Sequence, residues 1–230
     1  MKSVATTTLA VLFAGGMITQ GYAMNTITVD FEAFEVDKPP PGFSIALTGD
    51  GGPVSWVIQQ DTTAPGGGKV LAQTSTDATS YRFPLCVYDN FTAKDVEVSL
   101  KFKPISGKVD QAAGIMWRYQ DKDNYYIVRA NALENNVVLY KVENGKRTDL
   151  KPLDAGLFAY GKKTQVPQGQ WSELRVAAKG NRFEVSLNGE SLFVVEDNTF
   201  AEVGKVGLWT KADSVTLFDD LKIGSLDANG

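Results

Sequence analysis

Short stretches of this chain place a hydrophobic residue at every second position. Residues 27–31, 96–102, 182–187 and 206–211 all follow this rule, with polar or small residues in between. A period of two is typical of strands that have one face in a core and one wetter face. No long window keeps a helical period of about 3.6 residues. The pattern therefore predicts a chain built from strands.

The turns between these stretches are also visible in the sequence. Asn144-Gly145 separates the apolar run at 137–142 from a polar segment, and Asn188-Gly189 separates 182–187 from 191–195. A polar reversal at 121–124 joins residues 114–119 to 125–131. An Asn-Gly pair predicts a tight hairpin because both central residues must adopt positive φ. Many short strands with hairpin turns predict an all-β, two-sheet antiparallel β-sandwich. We expect its first strand, at 26–32, to pair with its last, at 214–223.

The beginning of the chain is typical of an export signal. Lys2 precedes an apolar run at 4–18, and small residues lead up to Ala23. This pattern predicts a Sec-type signal peptide at residues 1–23 and a single domain at residues 24–230. The run is too short, and too rich in Thr and Gly, for a spanning helix of about 20 mostly apolar residues. The expected location is the periplasm or exterior of a bacterial cell.

The composition limits the partners and the catalytic mechanisms that this chain can have. The net charge of −4 is dispersed, which predicts neither a nucleic-acid partner nor insertion into a membrane. Cys86 is the single cysteine, so no intrachain disulfide can form, and its apolar neighbours predict a buried position. Histidine is absent, which excludes Ser-His-Asp and Cys-His catalysis and metal sites built on histidine.

Several motifs occur in an order that is similar to a known family. They are the runs at 113–121, 124–129, 137–141, 171–176, 204–209 and 218–221. Their order resembles the concanavalin A-like lectin/glucanase jelly roll, and more narrowly the laminin-G-like domains of exported bacterial proteins labelled 3-keto-disaccharide hydrolase-like. The resemblance implies a jelly-roll sandwich that binds sugars or cleaves 3-keto-glycosides. The family's usual opening, a Phe-Asn-Gly-Lys turn followed by Trp, is absent from residues 29–43, and no catalytic residue is carried over.

The hairpin at 114–131 predicts a ligand-binding face. Pairing its core-facing residues places Arg118, Tyr125, Arg129 and Asn131 together on the exposed face of the sheet. The concave sheet of a jelly roll often binds ligands, and these residue types suit sugar hydroxyls and sugar C–H faces. The alternative is a solvated face with cross-strand pairs. The complete predicted set is Arg82, Arg118, Tyr125, Arg129, Asn131, Trp209, Lys211 and Asp213.

Carboxylates suggest two further sites. A retaining glycosidase needs two carboxyl groups about 5–5.5 Å apart. The acidic cluster at 30–37 runs into prolines that break a strand, so a wet strand face is favoured there. Calcium prefers oxygen ligands, and four carboxylates fall where the first and last strands should meet. The predicted calcium ligands are Asp30, Glu32, Asp219 and Asp220. The alternative is that the last two end a strand and cap a turn.

Three functions follow from these observations. The favoured prediction is an exported, lectin-like module that binds a carbohydrate or glycoconjugate on a concave sheet face. The second is a glycoside-processing hydrolase of the 3-keto-disaccharide type, for which the sequence assigns no catalytic residue. The third is a non-catalytic envelope domain whose sheet face binds a protein.

Overall fold

The computed structural model describes residues 26–156 and 159–227, where sixteen strands and no helix occur. The signal peptide predicted for residues 1–23 lies outside the described residues. The strands are β1 (Thr26–Val29), β2 (Phe43–Gly49), β3 (Trp56–Gln60), β4 (Lys69–Gln73), β5 (Arg82–Ala93), β6 (Val96–Ser106), β7 (Ala112–Asp121), β8 (Asn124–Asn131), β9 (Asn136–Glu143), β10 (Lys146–Asp149), β11 (Lys162–Lys163), β12 (Ser172–Lys179), β13 (Arg182–Leu187), β14 (Glu190–Glu196), β15 (Gly204–Trp209) and β16 (Val215–Ser225). Within these ranges, no helix could cross a membrane.

The strands form two antiparallel sheets. The back sheet has the order β14-β13-β12-β6-β16-β4-β3, with β1 added to β16. The front sheet has the order β10-β9-β8-β7-β15-β5-β2, with β11 added to β9. Thr26 lies opposite Gly224, which confirms the expected pairing of the first and last strands. The predicted all-β sandwich is confirmed.

The alternating positions place the core between the two sheets. Ile115 pairs with Val128, and Trp117 pairs with Tyr126. All four face the back sheet and are buried, as the alternation of β7 and β8 predicts. Cys86 is buried in the same core. The front sheet therefore turns the other side chains of β7 and β8 to its outward face.

Both Asn-Gly turns are formed as predicted. Asn144 and Gly145 have φ values of 50° and 74°, and Asn188 and Gly189 have 51° and 80°. These left-handed conformations are the ones a two-residue hairpin requires. The first of these turns fixes the register of β9 and β10 at one edge of the front sheet.

Candidate functional site

The front sheet is curled, so that its two sides approach each other across its outward face. The β9–β10 hairpin at one edge contacts Tyr81, which precedes β5 on the far side of the sheet. The Tyr81 hydroxyl donates a hydrogen bond to the Gly145 carbonyl oxygen at 2.9 Å and accepts one from the Arg147 amide at 2.7 Å. We call this outward face the concave face. Its buried apolar side chains are Phe83, Leu85, Val87, Ala112, Met116, Tyr125, Ile127, Val138, Tyr140, Val142 and Trp209.

Two glycines make room on the floor of the concave face. Gly114 of β7 lies opposite Trp209 of β15, and a Cβ at this position would stand 2.5 Å from Ile127 Cδ1 and 3.3 Å from Trp209 Cε3. A Cβ on Gly207 would overlap the end of the Met116 side chain. The absence of side chains at these two positions lets the larger neighbours pack flat against the sheet.

A cluster of polar side chains surrounds Arg129 on the concave face. The Arg129 guanidinium donates to Asn136 Oδ1 at 2.9 Å and to Glu134 Oε2 at 2.8 Å. It also donates to the Tyr160 hydroxyl at 3.2 Å, and that hydroxyl hydrogen bonds to the Tyr140 hydroxyl. Arg129 is 1% exposed, whereas the Glu134 side chain is 40% exposed and Tyr160 is 43% exposed. A buried cation is thus held next to two accessible side chains.

The charge of Arg129 acts on the ionisation of its neighbours. Burial alone would raise the pKa of Glu134, but the charge and hydrogen bond of Arg129 bring that pKa below its usual value. Burial raises the pKa of Tyr140, and the charges of Arg129 and Arg147 oppose this increase without cancelling it. At neutral pH the cluster therefore offers an ionised carboxylate as acceptor and a neutral phenol.

A second polar cluster centres on Asn131 of β8. Asn131 Nδ2 donates to Asp110 Oδ1 at 2.5 Å, and Lys211 Nζ lies 2.5 Å from Asp110 Oδ2. Asn131 Oδ1 accepts the backbone amides of Leu133 at 2.9 Å and Glu134 at 3.2 Å. Asn131 therefore connects an ion pair to the turn that carries Glu134, so the two clusters form one polar region.

Aromatic rings and Arg147 line the adjoining part of the concave face. Phe83 and Trp209 stack with their ring centroids 5.2 Å apart. The guanidinium carbon of Arg147 lies 4.8 Å from the Phe83 centroid, 4.5 Å from that of Tyr140 and 5.8 Å from that of Trp209. Tyr140 belongs to β9 and Phe83 to β5, four strands away. The half-buried Arg147 side chain therefore spans the concave face.

Four predicted binding residues meet on the concave face, and a fifth adjoins it. Tyr125, Arg129, Asn131 and Trp209 point to this side, and Lys211 reaches it through Asp110. The expectation of an exposed face is wrong, because these four side chains are buried. Two features cover them: the curled sheet brings Arg147 of the edge hairpin over Trp209, and the segments that carry Glu134 and Tyr160 contact Arg129.

The predicted position of Arg118 on this face is wrong. Arg118 has φ of +48° at a β-bulge, which turns its side chain toward the back sheet. There its guanidinium lies 5.5 Å from the Phe183 ring centroid and donates to the carbonyl oxygens of Lys94 and Phe200, both at 2.8 Å. It also forms an ion pair with Asp95 at 3.3 Å. Arg118 therefore connects segments of the sandwich and does not line the concave face.

Arg82 and Asp213 hold loops in place, and their predicted position along the concave face is also wrong. The Arg82 guanidinium donates to the carbonyl oxygens of Pro53 at 2.8 Å and Ala212 at 3.1 Å. Asp213 accepts backbone amides from residues 108–110, at distances of 2.7 to 3.2 Å. Both side chains hydrogen bond to backbone groups because each residue lies at or next to the junction of a strand and a loop.

Sequence reasoning misses four residues of the polar region and its surroundings: Asp110, Glu134, Arg147 and Tyr160. A signal existed for Arg147, because the two-residue Asn-Gly turn places it opposite Val142 and hence on the concave side. Tyr160 lies in the irregular segment between β10 and β11, where no periodicity indicates its direction.

Two of the four carboxylates predicted to bind calcium hold the turn at residues 65–69. Asp219 accepts the Gly66 amide at 2.9 Å. Glu32 accepts the amide of Gly68 at 2.8 Å. These contacts arise because β1 and β16 pair and bring both carboxylates to the start of β4.

The other two carboxylates have separate partners. Asp30 accepts the Glu32 amide at 3.2 Å, and Asp220 lies 3.4 Å from Lys101. Burial raises the pKa of Asp219, and the negative charges of Asp220 and Glu32 add to this increase. In the described part of the chain, no group of three or more acidic, histidine or cysteine side chains is arranged to hold a metal ion. Calcium binding stays a prediction.

The two packed antiparallel sheets define an all-β sandwich domain. The family model described as "3-keto-alpha-glucoside-1,2-lyase-like domain" matches residues 45–224, and the chain belongs to this family. This match confirms the family resemblance drawn from the sequence motifs. Comparison with curated protein sequences finds no match.

Solved structures share the fold at low sequence identity. The chain is similar to the carbohydrate binding module CBM66 from Bacillus subtilis, with 20% identity, a TM-score of 0.60 and coverage of 80% of this chain and 96% of that one. It is similar to the cellulose induced protein Cip1, with 16% identity, a TM-score of 0.61 and coverage of 86% and 97%. A protein of unknown function from Shewanella oneidensis MR-1 has 15% identity, a TM-score of 0.54 and coverage of 86% and 85%.

Proposed function

We propose that this chain is a carbohydrate-binding module whose ligand occupies the concave face at the polar region around Arg129 and Asn131. The observation that carries the proposal is the pair of accessible side chains, Glu134 and Tyr160, beside the buried guanidinium of Arg129. A carboxylate and a phenol at fixed positions suit the hydroxyl groups of a sugar ring, and an exposed aromatic ring suits its C–H face.

The polar region is ordered before any ligand arrives. Arg129 donates hydrogen bonds to Glu134 and Tyr160. Asn131 accepts the amide of Glu134 and contacts Asp110, the partner of Lys211. Side chains that are already held by hydrogen bonds lose less conformational entropy on binding than free ones do. The shared fold with the B. subtilis carbohydrate binding module supports carbohydrate as the ligand class.

A glycan and polysaccharide binding screen, with and without calcium, tests this proposal. We expect Tyr160→Ala and Glu134→Gln to weaken binding of any glycan found by roughly tenfold or more, because each removes a direct contact. Trp171→Ala is the matched control, since Trp171 is a half-buried aromatic residue packed beside the back sheet. Unchanged binding by both variants would place the ligand elsewhere, and a folded protein that binds no glycan would refute the proposal.

Cleavage of a 3-keto-glycoside is the second candidate, because the family model is described by that activity. Elimination next to a keto group needs a base that removes the adjacent proton. Glu134 is the accessible carboxylate of the polar region, and its lowered pKa makes it ionised but weakly basic. Turnover of a 3-keto-glucoside that disappears in Glu134→Gln, with binding retained, would favour catalysis over binding alone.

Export to the periplasm or cell exterior is part of the proposal. Residues 1–23 carry the signal-peptide pattern, and Ala23 stands at its expected cleavage site. Amino-terminal sequencing of the exported protein should start at Met24. An intact Met1 on protein recovered from the cytoplasm, with none exported, would contradict this part.

A further inference from the structure

Arg147 differs from the other arginines in having no carboxylate partner. The others, all within the described ranges, each form an ion pair with a carboxylate: Arg82, Arg118, Arg129, Arg175 and Arg182. Arg147 forms no ion pair with a described residue, and its Nη1 atom is buried without a hydrogen-bond partner. Nε and Nη2 of Arg147 also have no hydrogen-bond partner among the described residues and are not buried, so this edge of the guanidinium offers donors to a ligand.

The charge of Arg147 is not balanced by its surroundings. Three other cations near the concave face are each paired with a carboxylate: Arg129 with Glu134, Lys211 with Asp110, and Lys151 with Asp149. Lys163 donates instead to the Glu134 carbonyl oxygen, whereas the Arg147 guanidinium has no oxygen partner among the described residues. The whole chain has a net charge of −4. The concave face therefore presents an unpaired positive charge on a protein that is negative overall, and this charge would attract an anionic group.

The guanidinium of Arg147 is also held in a fixed position. The Tyr81 hydroxyl accepts its backbone amide at 2.7 Å. The rings of Phe83, Tyr140 and Trp209 surround the guanidinium at 4.5 to 5.8 Å. A planar fork of donors that is already oriented suits an oxyanion with two accessible oxygens, and the aromatic surroundings reduce competition from water.

We infer that the concave face selects an acidic saccharide, one whose ring carries a carboxylate or a sulfate, and that Arg147 binds this anionic group. This inference rests on the proposed function and names the ligand class of the same face. Glu134 and Tyr160 would meet the hydroxyl groups of the sugar while Arg147 meets its charge. A neutral sugar would leave the half-buried guanidinium without a counter-charge.

Matched pairs of charged and neutral polysaccharides test the inference on the unaltered protein. We expect polygalacturonate to bind roughly tenfold or more tightly than its methyl ester, which has the same ring without the charge. Dextran sulfate against dextran forms the second pair and separates a sulfate from a carboxylate. Raising the salt from about 50 to about 500 mM should weaken the charged member of the preferred pair more than the neutral one. Equal binding within both pairs would overturn the inference.

Variants of Arg147 test the residue assignment. Arg147→Gln should bind the charged and neutral members of the preferred pair equally, and Arg147→Lys should keep part of the preference because it keeps charge without the fork. Arg182→Gln, which alters an exposed arginine on β13, is the control and should keep the full preference. A full preference in Arg147→Gln would overturn the assignment.

The outcomes separate this inference from the function on which it rests. If neutral and acidic glycans bind equally and Tyr160→Ala weakens both, the chain binds carbohydrate and the acidic specificity is wrong. If no polysaccharide of either pair binds and the broad glycan screen is also negative, the proposed function fails and the inference fails with it. A preference for the charged members that is lost in Arg147→Gln supports both.

Discussion

Arg118 joins segments that are far apart in the chain. Its guanidinium reaches the carbonyl oxygens of Lys94, Gly180 and Phe200, which lie before β6, after β12 and after β14. The side chain is 2% exposed. Removing a buried, fully bonded cation leaves several carbonyl groups and Asp95 without their partner, so a large cost is expected.

We therefore expect Arg118→Met to lower the free energy of unfolding by about 3–5 kcal/mol. Arg182→Met is the control, because it removes an exposed arginine and should change stability by no more than about 0.5 kcal/mol. Urea unfolding followed by tryptophan fluorescence gives both values. Similar small losses in the two variants would show that Arg118 does not hold these segments together.

Asp213 should make stability depend on pH. Burial opposes ionisation of Asp213, but the backbone amides of residues 108–110 outweigh it, so its pKa in the folded state is lowered. A lowered folded pKa contributes stability above the unfolded value of about 3.9, and this contribution is lost as the pH falls through the folded value.

Asp213→Asn should accordingly destabilise the protein by about 2 kcal/mol at pH ~7, as expected for hydrogen bonds to a charged group. The difference from the unaltered protein should shrink below about pH 4, where Asp213 itself becomes protonated. Unfolding midpoints measured across this range test the sign. A difference that stays constant with pH would mean that the charge of Asp213 is not the source of the stabilisation.

Sequence alternation predicts the direction of most side chains in β7 and β8 but not of Arg118. Tyr125, Arg129 and Asn131 are placed correctly because they alternate with core residues on a regular strand. Arg118 is not, because the bulge depends on a positive φ at a residue other than glycine. Neighbouring residues carry no signal for such a bulge. The prediction for Arg118 fails because it assumes that side chains alternate strictly between the two faces of the sheet.

Among the strands, β7 depends on having no side chain at Gly114. The strand passes between β8 and β15, and the ring of Trp209 lies over this position. Added atoms in a packed face force neighbours off their preferred positions, at a cost of about 1–3 kcal/mol.

Gly114→Ala should therefore lower the free energy of unfolding by about 1–3 kcal/mol and change the near-ultraviolet circular dichroism of Trp209. Gly68→Ala is the matched control, because a Cβ there meets no atom within 4 Å and the residue does not have positive φ. Thermal unfolding of both variants tests this expectation. Equal stability of the two would mean that the floor of the concave face can adjust.

The sequence predicts the apolar run of β9 and the hairpin turn after it, but not that this hairpin contacts Tyr81 and Phe83. The Asn-Gly turn gives the pairing of β9 with β10, and pairing alone puts Arg147 and Tyr140 on the same side of the sheet. Their contact with Phe83 and Tyr81 requires a curled sheet. Curvature depends on packing across the whole sheet, so no local pattern reports it, and the burial of the concave face follows from it.

On the scale of the whole molecule, Tyr81 connects the two sides of the front sheet. Its hydroxyl is bonded to both Gly145 and Arg147, and this is where the β9–β10 hairpin meets the segment before β5. Access to the concave face should therefore depend on how firmly this contact is held.

Tyr81→Phe removes both hydrogen bonds and should speed amide exchange at Arg147 by roughly fivefold, the effect of losing about 1 kcal/mol of local protection. Tyr88→Phe is the control, because the Tyr88 hydroxyl has no hydrogen bond among the described residues. Hydrogen exchange followed by mass spectrometry or nuclear magnetic resonance makes the comparison. Unchanged exchange at Arg147 would mean that other contacts hold the hairpin.

The pairing of β1 with β16 has a consequence for joining this domain to other proteins. Thr26 and Gly224 are neighbours across one pair of strands, so the two ends of the described fold leave the molecule side by side. Both belong to the back sheet, whereas the concave face belongs to the front sheet. The domain could be inserted into a surface loop of a carrier with short linkers, or circularly permuted, with its concave face left unobstructed.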